Sequence, residues 1–238
     1  MTQAHIVLDN VRFSHGEGGA AFVFDAAFEP GKITAVMGAS GGGKSTLLNL
    51  LAGFLRPDSG TLLVNGMDMT KVHPMHRPMS MIFQDHNLFA HLTVAQNVGL
   101  GVDPQLHLDA TARLQISAAL ESVGLGGYEK RSPTTLSGGE KQRVALARML
   151  VRERPILLMD EALASLGPGL RQSILALVKE LQRAKKLTVI MVTHDPLDAK
   201  LVADNVVFLA EQRVICHGSV DEILTEPSDL RVATYLGI

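Results

Sequence analysis

The chain has 238 residues, 46% hydrophobic and 19% charged, enough for one large domain, or one domain with an inserted lobe, that buries roughly 70–75% of the surface its unfolded form exposes. A formal net charge of −2 and the absence of tryptophan argue against a broad cationic surface for nucleic acid or anionic lipid. One cysteine, Cys216, excludes an intramolecular disulfide framework, MTQAHIVLDNVRF lacks the basic start and apolar run of a signal peptide, and no stretch reaches the ~18–20 consecutive apolar residues of a spanning helix. Any membrane link is therefore expected to run through a partner.

Taken in chain order, HIVLDNVRF, AFVFDAAFE and later TLLVNG alternate between turn signals, which predicts an antiparallel sheet. KITAVMG, PILLMD and LTVIMVTH are continuous apolar runs, each followed by helical periodicity, the pattern of parallel strands covered by helices on both faces. The fold class expected is α/β.

The first of these runs leads into Gly38-Ala39-Ser40-Gly41-Gly42-Gly43-Lys44-Ser45-Thr46 and then an amphipathic helix. The order strand, Gly-x-x-x-x-Gly-Lys-Ser, helix has a physical reason. Glycines let successive N–H groups turn inward around an anion, and the helix start adds partial positive charge. Lys44 can reach β- and γ-phosphates and Ser45 can ligate Mg²⁺. The segment reads as a P-loop for a nucleoside triphosphate.

From about 88 to 148 no strong strand pattern occurs; the expectation is a helical lobe, interrupted at GVDP, inserted in a single domain spanning 1–238. Late in that lobe, Ser137-Gly138-Gly139-Glu140 opens an amphipathic helix: Ser137 can cap it and the paired glycines expose its N–H groups, giving a second anion site. One P-loop needs no such site in its own chain unless two copies meet. In PILLMD four apolar residues lead to Asp160 at the C-terminal edge of a buried strand, where it can hold the magnesium shell, and Glu161 can polarise a water in line with the γ-phosphate. NVVFLAEQRVICHG predicts a hairpin turning at Glu211 and Gln212, and SVDEILTE a short helix.

With the P-loop, the SGGE helix start and the acidic strand in place, the chain resembles the ATP-binding-cassette (ABC) family over nearly its whole length. The resemblance implies a head-to-tail homodimer in which each ATP, with Mg²⁺, lies between one chain's P-loop and Ser137, Gly138, Gly139 and Glu140 of the other. By position, Gln84 in MIFQD is similar to the glutamine that senses magnesium and meets the transporter core. His194 in VIMVTHD is similar to the histidine that touches the γ-phosphate, so Glu161, His194 and Lys44 are the expected catalytic set and Ser45, Gln84 and Asp160 the expected metal set. More narrowly, RPMSMIFQDHNLFAHLTVAQNVGLG, LLNLLAGFLRPDSG and the closing YLGI resemble the ATP-binding subunits of bacterial thiamine importers. This implies a peripheral subunit on the cytoplasmic face of the inner membrane, docked under a permease and served indirectly by a solute-binding protein, with no nucleic-acid partner. Three alternatives stay open: an importer of another small solute, a soluble ABC-type ATPase without a permease, and a partner that binds nucleotide without hydrolysing it.

Two departures from the family pattern carry expectations. After the acidic pair the chain reads Ala162-Leu163-Ala164-Ser165-Leu166-Gly167, and Gly167 stands where relatives keep an aspartate in the loop that crosses the dimer interface. A slower or less cooperative ATPase is expected, with hydrolysis itself retained by Glu161. At the adenine end relatives stack an aromatic side chain; here His15 takes the place, with Phe13 two residues earlier on the same strand face. His15 either stacks on the base or stands in an exposed loop.

Overall fold

The structure is a computed structural model of the chain, described here for residues 5–16, 19–83 and 87–238. Ten strands form one sheet in the order β5-β4-β1-β2-β10-β9-β3-β8-β7-β6. Its heart is parallel: β3 (Ile33–Gly38) lies between β8 (Thr188–Val192) and β9 (Asn205–Ala210), and β7 (Ile156–Asp160) and β6 (Met79–Ile82) extend the run to the edge. All residues of β3 and β8 are buried, as expected of strands covered on both faces.

Alternate residues of these strands serve two separate cores. Ile33, Ala35, Met37, Leu157, Met159, Val189 and Met191 face one cluster, which contains α4 (Gly138–Val151) and α5 (Pro168–Lys185). Val36, Ile156, Leu158, Ile190 and Val192 face the other, with α1 (Lys44–Ala52) and the antiparallel strands β1 (Ile6–Ser14), β2 (Ala21–Phe28) and β4 (Ser59–Val64). The two-residue side-chain period of a strand divides the core in this way. The helices α2 (Val94–Gly99), α3 (Ala110–Ser122) and α4 follow β6 and precede β7, joined by loops, and α4 runs three residues beyond 148.

The hairpin appears at the expected residues: β9 turns into β10 (Arg213–Ser219) through Glu211 and Gln212 at φ 51° and 58°, the conformation that a two-residue turn matching strand twist requires. After β10 come α6's chain successors, the short α7 (Val220–Leu224) and α8 (Leu230–Leu236), α6 itself (Pro196–Val202) lying between β8 and β9. β5 (Met67–Asp68) completes the antiparallel edge.

One buried arginine ties the end of α1 to the segment that leads into β6. Arg77, 1% exposed, donates through Nη1 to the carbonyls of Leu50 and Leu51 at 2.7 and 2.6 Å and through Nε to Val72 at 2.9 Å. A cation at the C-terminal carbonyls of the helix meets its partial negative end. Gly53, at φ 86°, ends the helix there, and a β-carbon on it would come within 2.5 Å of Arg77 Nε.

Candidate functional site

Because β3, β8, β7 and β6 are parallel neighbours, their C-terminal ends bring the P-loop, His194 and the Asp160-Glu161 pair into one row, the edge at which open α/β sheets bind ligands. Gln84, two residues beyond β6, lies outside the described residues.

The glycine turn is shaped by close approach of backbone. Gly38 has φ 139°, and a β-carbon there would lie 2.0 Å from the Leu209 carbonyl oxygen; Gly43, at φ 100°, would drive one to 2.7 Å from the Phe22 ring. No side chain caps the start of α1, so its first N–H groups face the anion cradle. Lys44 is buried and donates to the carbonyls of Gly38 and Ala39 at 2.9 and 3.0 Å. Burial pushes its ammonium below the ordinary lysine range, opposed by the charges of Glu161 and Asp160.

Ser45 donates its hydroxyl to Asp160 Oδ1 at 3.1 Å. Burial raises the Asp160 carboxyl above its usual range, the Ser45 bond works against that rise, and the Glu161 charge adds to it. The paired hydroxyl and carboxylate are hard oxygen donors of the kind Mg²⁺ takes together with phosphate oxygens rather than in an all-protein cage. Glu161 sits at φ 44°, a left-handed conformation that costs a non-glycine residue roughly 1–2 kcal/mol and turns the chain sharply out of the strand.

His194 follows β8 with an exposed imidazole on a restrained backbone. Thr193 donates N–H to Val36 at 3.2 Å and its hydroxyl to Asp198 Oδ2 at 3.1 Å, while the Asp195 N–H donates to that hydroxyl at 3.1 Å. Arg171, in the second turn of α5, lies 3.0 Å from Asp195 and 3.7 Å from Asp198, and reaches the Ala164 carbonyl at 3.4 Å. Burial raises the Asp198 carboxyl; the Thr193 bond and Arg171 pull it back down.

At the tip of α4 the expected cap is complete. Ser137 accepts from the Glu140 N–H at 3.4 Å, and Glu140 accepts the Ser137 N–H and hydroxyl, both at 2.8 Å, a reciprocal capping box. Those bonds, with one from Tyr128, hold the Glu140 carboxyl below its usual range. Gly138 is exposed, whereas Gly139 is buried.

His15 is exposed and meets the edges of two rings: Phe13 at 4.7 Å and Phe22 at 5.6 Å between centroids, with its Nε2 3.5 Å from the Thr46 hydroxyl. It therefore stands beside the first turn of α1, on an aromatic base. Sequence reasoning missed Phe22, Arg171, Asp198 and Tyr235. Arg171 had a signal: a cation near the start of a helix opposes the macrodipole and so needs partners elsewhere.

A groove of about 500 Å³ runs between the edge strand β6 and α4, lined among others by Met81, Phe83, Phe89, Ala145 and Met149. Its wall is firm where Arg148 donates to the carbonyls of Asn97 and Asn87 at 2.8 and 2.9 Å.

Residues 23–164 match the ABC transporter family model. The chain is 53% identical over 230 residues to the thiamine import ATP-binding protein ThiQ of Mesorhizobium japonicum, covering 97% of this chain and 90% of that protein. It is 46% identical to the protein of the same name from Aliivibrio fischeri, covering 90% and 92%. Among solved structures it is similar to cbiO1 from Clostridium perfringens, part of the ABC transporter complex cbiONQ, with 29% identity, a TM-score of 0.84, and coverage of 96% and 94%. It is also similar to the ATP-binding cassette MJ0796, solved as a dimer in a post-hydrolysis state with ADP and Pi, with 26% identity, a TM-score of 0.78, and coverage of 90% and 98%. With a P-loop, an acidic strand end and a capped SGGE helix all placed on one α/β sheet, the chain belongs to the ABC transporter family, as an ATP-binding cassette.

Proposed function

We propose that the chain is the ATP-hydrolysing subunit of an importer for thiamine, working as a pair of identical cassettes under a membrane permease on the cytoplasmic face. The whole chain is read as one domain, with the helices between β6 and β7 as its inserted lobe. Among the described residues no helix is long and apolar enough to cross a membrane, which fits attachment through a partner. The groove beside β6, next in sequence to Gln84, is the surface assigned to the permease.

The observation that carries the hydrolase reading is the 3.1 Å bond between Ser45 and Asp160 beside Lys44, because it assembles phosphate-binding and metal-binding groups at one strand edge. Ser45 and Asp160, with Gln84, would hold Mg²⁺, which supplies charge neutralisation on the phosphate oxygens. The N–H groups of Gly38 to Thr46 and Lys44 bind and orient the triphosphate. Glu161 accepts the proton of the attacking water, and His194 donates to the γ-phosphate. Ser137, Gly138 and Gly139 of the second copy close the site, with Glu140 fixing Ser137; His15 stands at the base. Positioning and fixed charge dominate the barrier lowering in phosphoryl transfer.

The choice of thiamine rests on the names of the relatives. It is tested by ATP turnover of the cassette reconstituted with its permease and a solute-binding protein. Stimulation by the thiamine-loaded binding protein is expected; stimulation only by another solute's binding protein would replace thiamine, and none by any would remove the importer.

A further inference from the structure

The exposed ring of His194 stands on a peptide held from both sides, and one of the two restraints comes from the far end of the chain. On the side towards α5, Thr193, Asp195, Asp198 and Arg171 form the network described above. On the other side, the Tyr235 hydroxyl donates to the His194 carbonyl oxygen at 2.9 Å, across 41 positions of sequence. The hydroxyl is the one group of α8 that bonds to this turn among the described residues.

The helix that carries Tyr235 is built to hold still. Asp229 caps it by accepting the Arg231 N–H at 2.8 Å, and the Arg231 guanidinium grips the same carboxylate at 2.7 and 3.0 Å. Those bonds keep the Asp229 carboxyl at about 2. Gly237, at φ 76°, closes the other end. The Tyr235 ring meets the edge of Phe208 at 5.0 Å, and Phe208 is the β9 residue paired with Met37, one position before the P-loop glycine Gly38. Ring packing thus places the hydroxyl relative to β3, and the hydroxyl places the peptide after His194. A groove of about 550 Å³ separates α8 from Ala39–Gly42, so Tyr235 reaches the histidine turn without filling the space next to the glycine turn.

We propose that Tyr235 is a positioning residue for hydrolysis: by holding the carbonyl of His194 it fixes the peptide plane between His194 and Asp195 and so the direction in which the imidazole stands. A carbonyl bonded to a phenol loses freedom about ψ of its own residue, which is the torsion that would otherwise let the backbone of an exposed side chain swing. The phenol suits this task, since burial and the charges of Asp195 and Glu161 keep it protonated as a donor. The inference rests on the role given to His194 above.

The test is ATP turnover by the full chain carrying Tyr235→Phe, which keeps the ring on Phe208 and removes only the O–H. Loss of one hydrogen bond of ordinary strength that acts on the transition state corresponds to a fall in kcat of roughly three- to tenfold. The KM for ATP should stay within about twofold and the melting temperature should fall by no more than about 4 °C, the shift that loss of one such bond allows while the ring packing is unchanged. In a His194→Ala background the same change should have no further effect, because the residue acts through the imidazole. An unchanged kcat, a fall that adds in full to that of His194→Ala, or a fall that only follows a lowered melting temperature would each overturn the assignment. A wild-type chain that turns over no ATP, with or without its permease, would remove the hydrolytic role of His194 and this assignment with it, a result distinct from an active wild type indifferent to Tyr235→Phe.

Discussion

Leu170 lies directly on Gly139: a β-carbon added to the glycine would stand 2.5 Å from Leu170 Cδ1 and 2.9 Å from Cγ. The neighbouring Gly138 would place one 3.3 Å from Leu166. The apolar loop that follows the acidic strand, through Leu166, and the start of α5, through Leu170, are therefore stacked on the helix tip of their own chain that is assigned to the partner's nucleotide. In the sequence these residues are some 30 positions apart and seem unrelated motifs; in the fold they are one packed unit.

Gly139→Ala should destabilise the cassette by about 1–2 kcal/mol, the range of a tight overpacking that a leucine can partly relieve by moving. Denaturant melts of the single and double variants decide it. Leu170→Ala added to Gly139→Ala is expected to recover most of the loss, and simple additivity of the two changes would show that the contact is not what limits position 139.

Gly167→Asp tests the altered loop. Gly167 has φ −63° and open space around its β-carbon, and it is the start of α5 without a side-chain cap. An aspartate fits there without strain and gains a capping bond, worth a few tenths of a kcal/mol over glycine. Faster or more cooperative ATP turnover is the expected functional outcome. A variant that is slightly more stable yet turns over at the wild-type rate would mean that the missing carboxylate does not limit hydrolysis.

Glu161→Gln removes the carboxylate proposed as proton acceptor and keeps the shape. Phosphate release is expected to drop by a factor of 10² or more, while ATP still drives two chains together on gel filtration. Undiminished release would favour a base other than Glu161.

Asp160→Asn should make the nucleotide-free cassette more stable, and increasingly so as pH rises. The folded carboxyl titrates above its unfolded value, so in the wild type stability is fully present below the unfolded value and declines as pH climbs through the elevated folded value. The asparagine variant has no such decline. Melting temperatures of both chains should run parallel at pH below the ordinary aspartate range and diverge as pH rises above it; curves that stay parallel throughout would contradict the direction. Activity should be lost, since the carboxylate that meets Ser45 is gone.

Arg77→Met should cost about 3 kcal/mol or more, because two buried carbonyls at the end of α1 lose a charged donor. Thermal unfolding with and without ATP reads it, and the ATP-induced rise in melting temperature is expected to shrink as α1 loosens.

The legible parts of this molecule are those whose signal is contiguous. Ile33–Gly38, Ile156–Asp160 and Thr188–Val192 are unbroken apolar runs, and each ends in a glycine, an acid or a His-Asp turn, so strand and chemistry are read together. The Ser137 cap was legible for the same reason: the group it meets lies within one turn. Short elements were harder. MSMI is a four-residue strand whose pairing with β7, not its own pattern, makes it one. Hidden were the pairings between groups distant in the chain: Phe22 against Gly43, Arg171 against Asp195, Tyr235 against His194. Each is an ordinary side chain in its own segment and acquires a role only when sheet order brings a second segment beside it.

The sheet is narrowest where β10 meets β2, joined among the described residues by the single pair Arg213 and Val23 and by the Val23 N–H on the Gln212 carbonyl at 2.8 Å. On one side of that seam in the sheet order ride Phe13, His15 and Phe22; on the other lie the glycine turn and the acids. Coupling across the seam therefore runs through side chains more than through the sheet: the Phe22 ring stands against Gly43 and His15 reaches the Thr46 hydroxyl, so a shift of the antiparallel strands is felt at the glycine turn by packing.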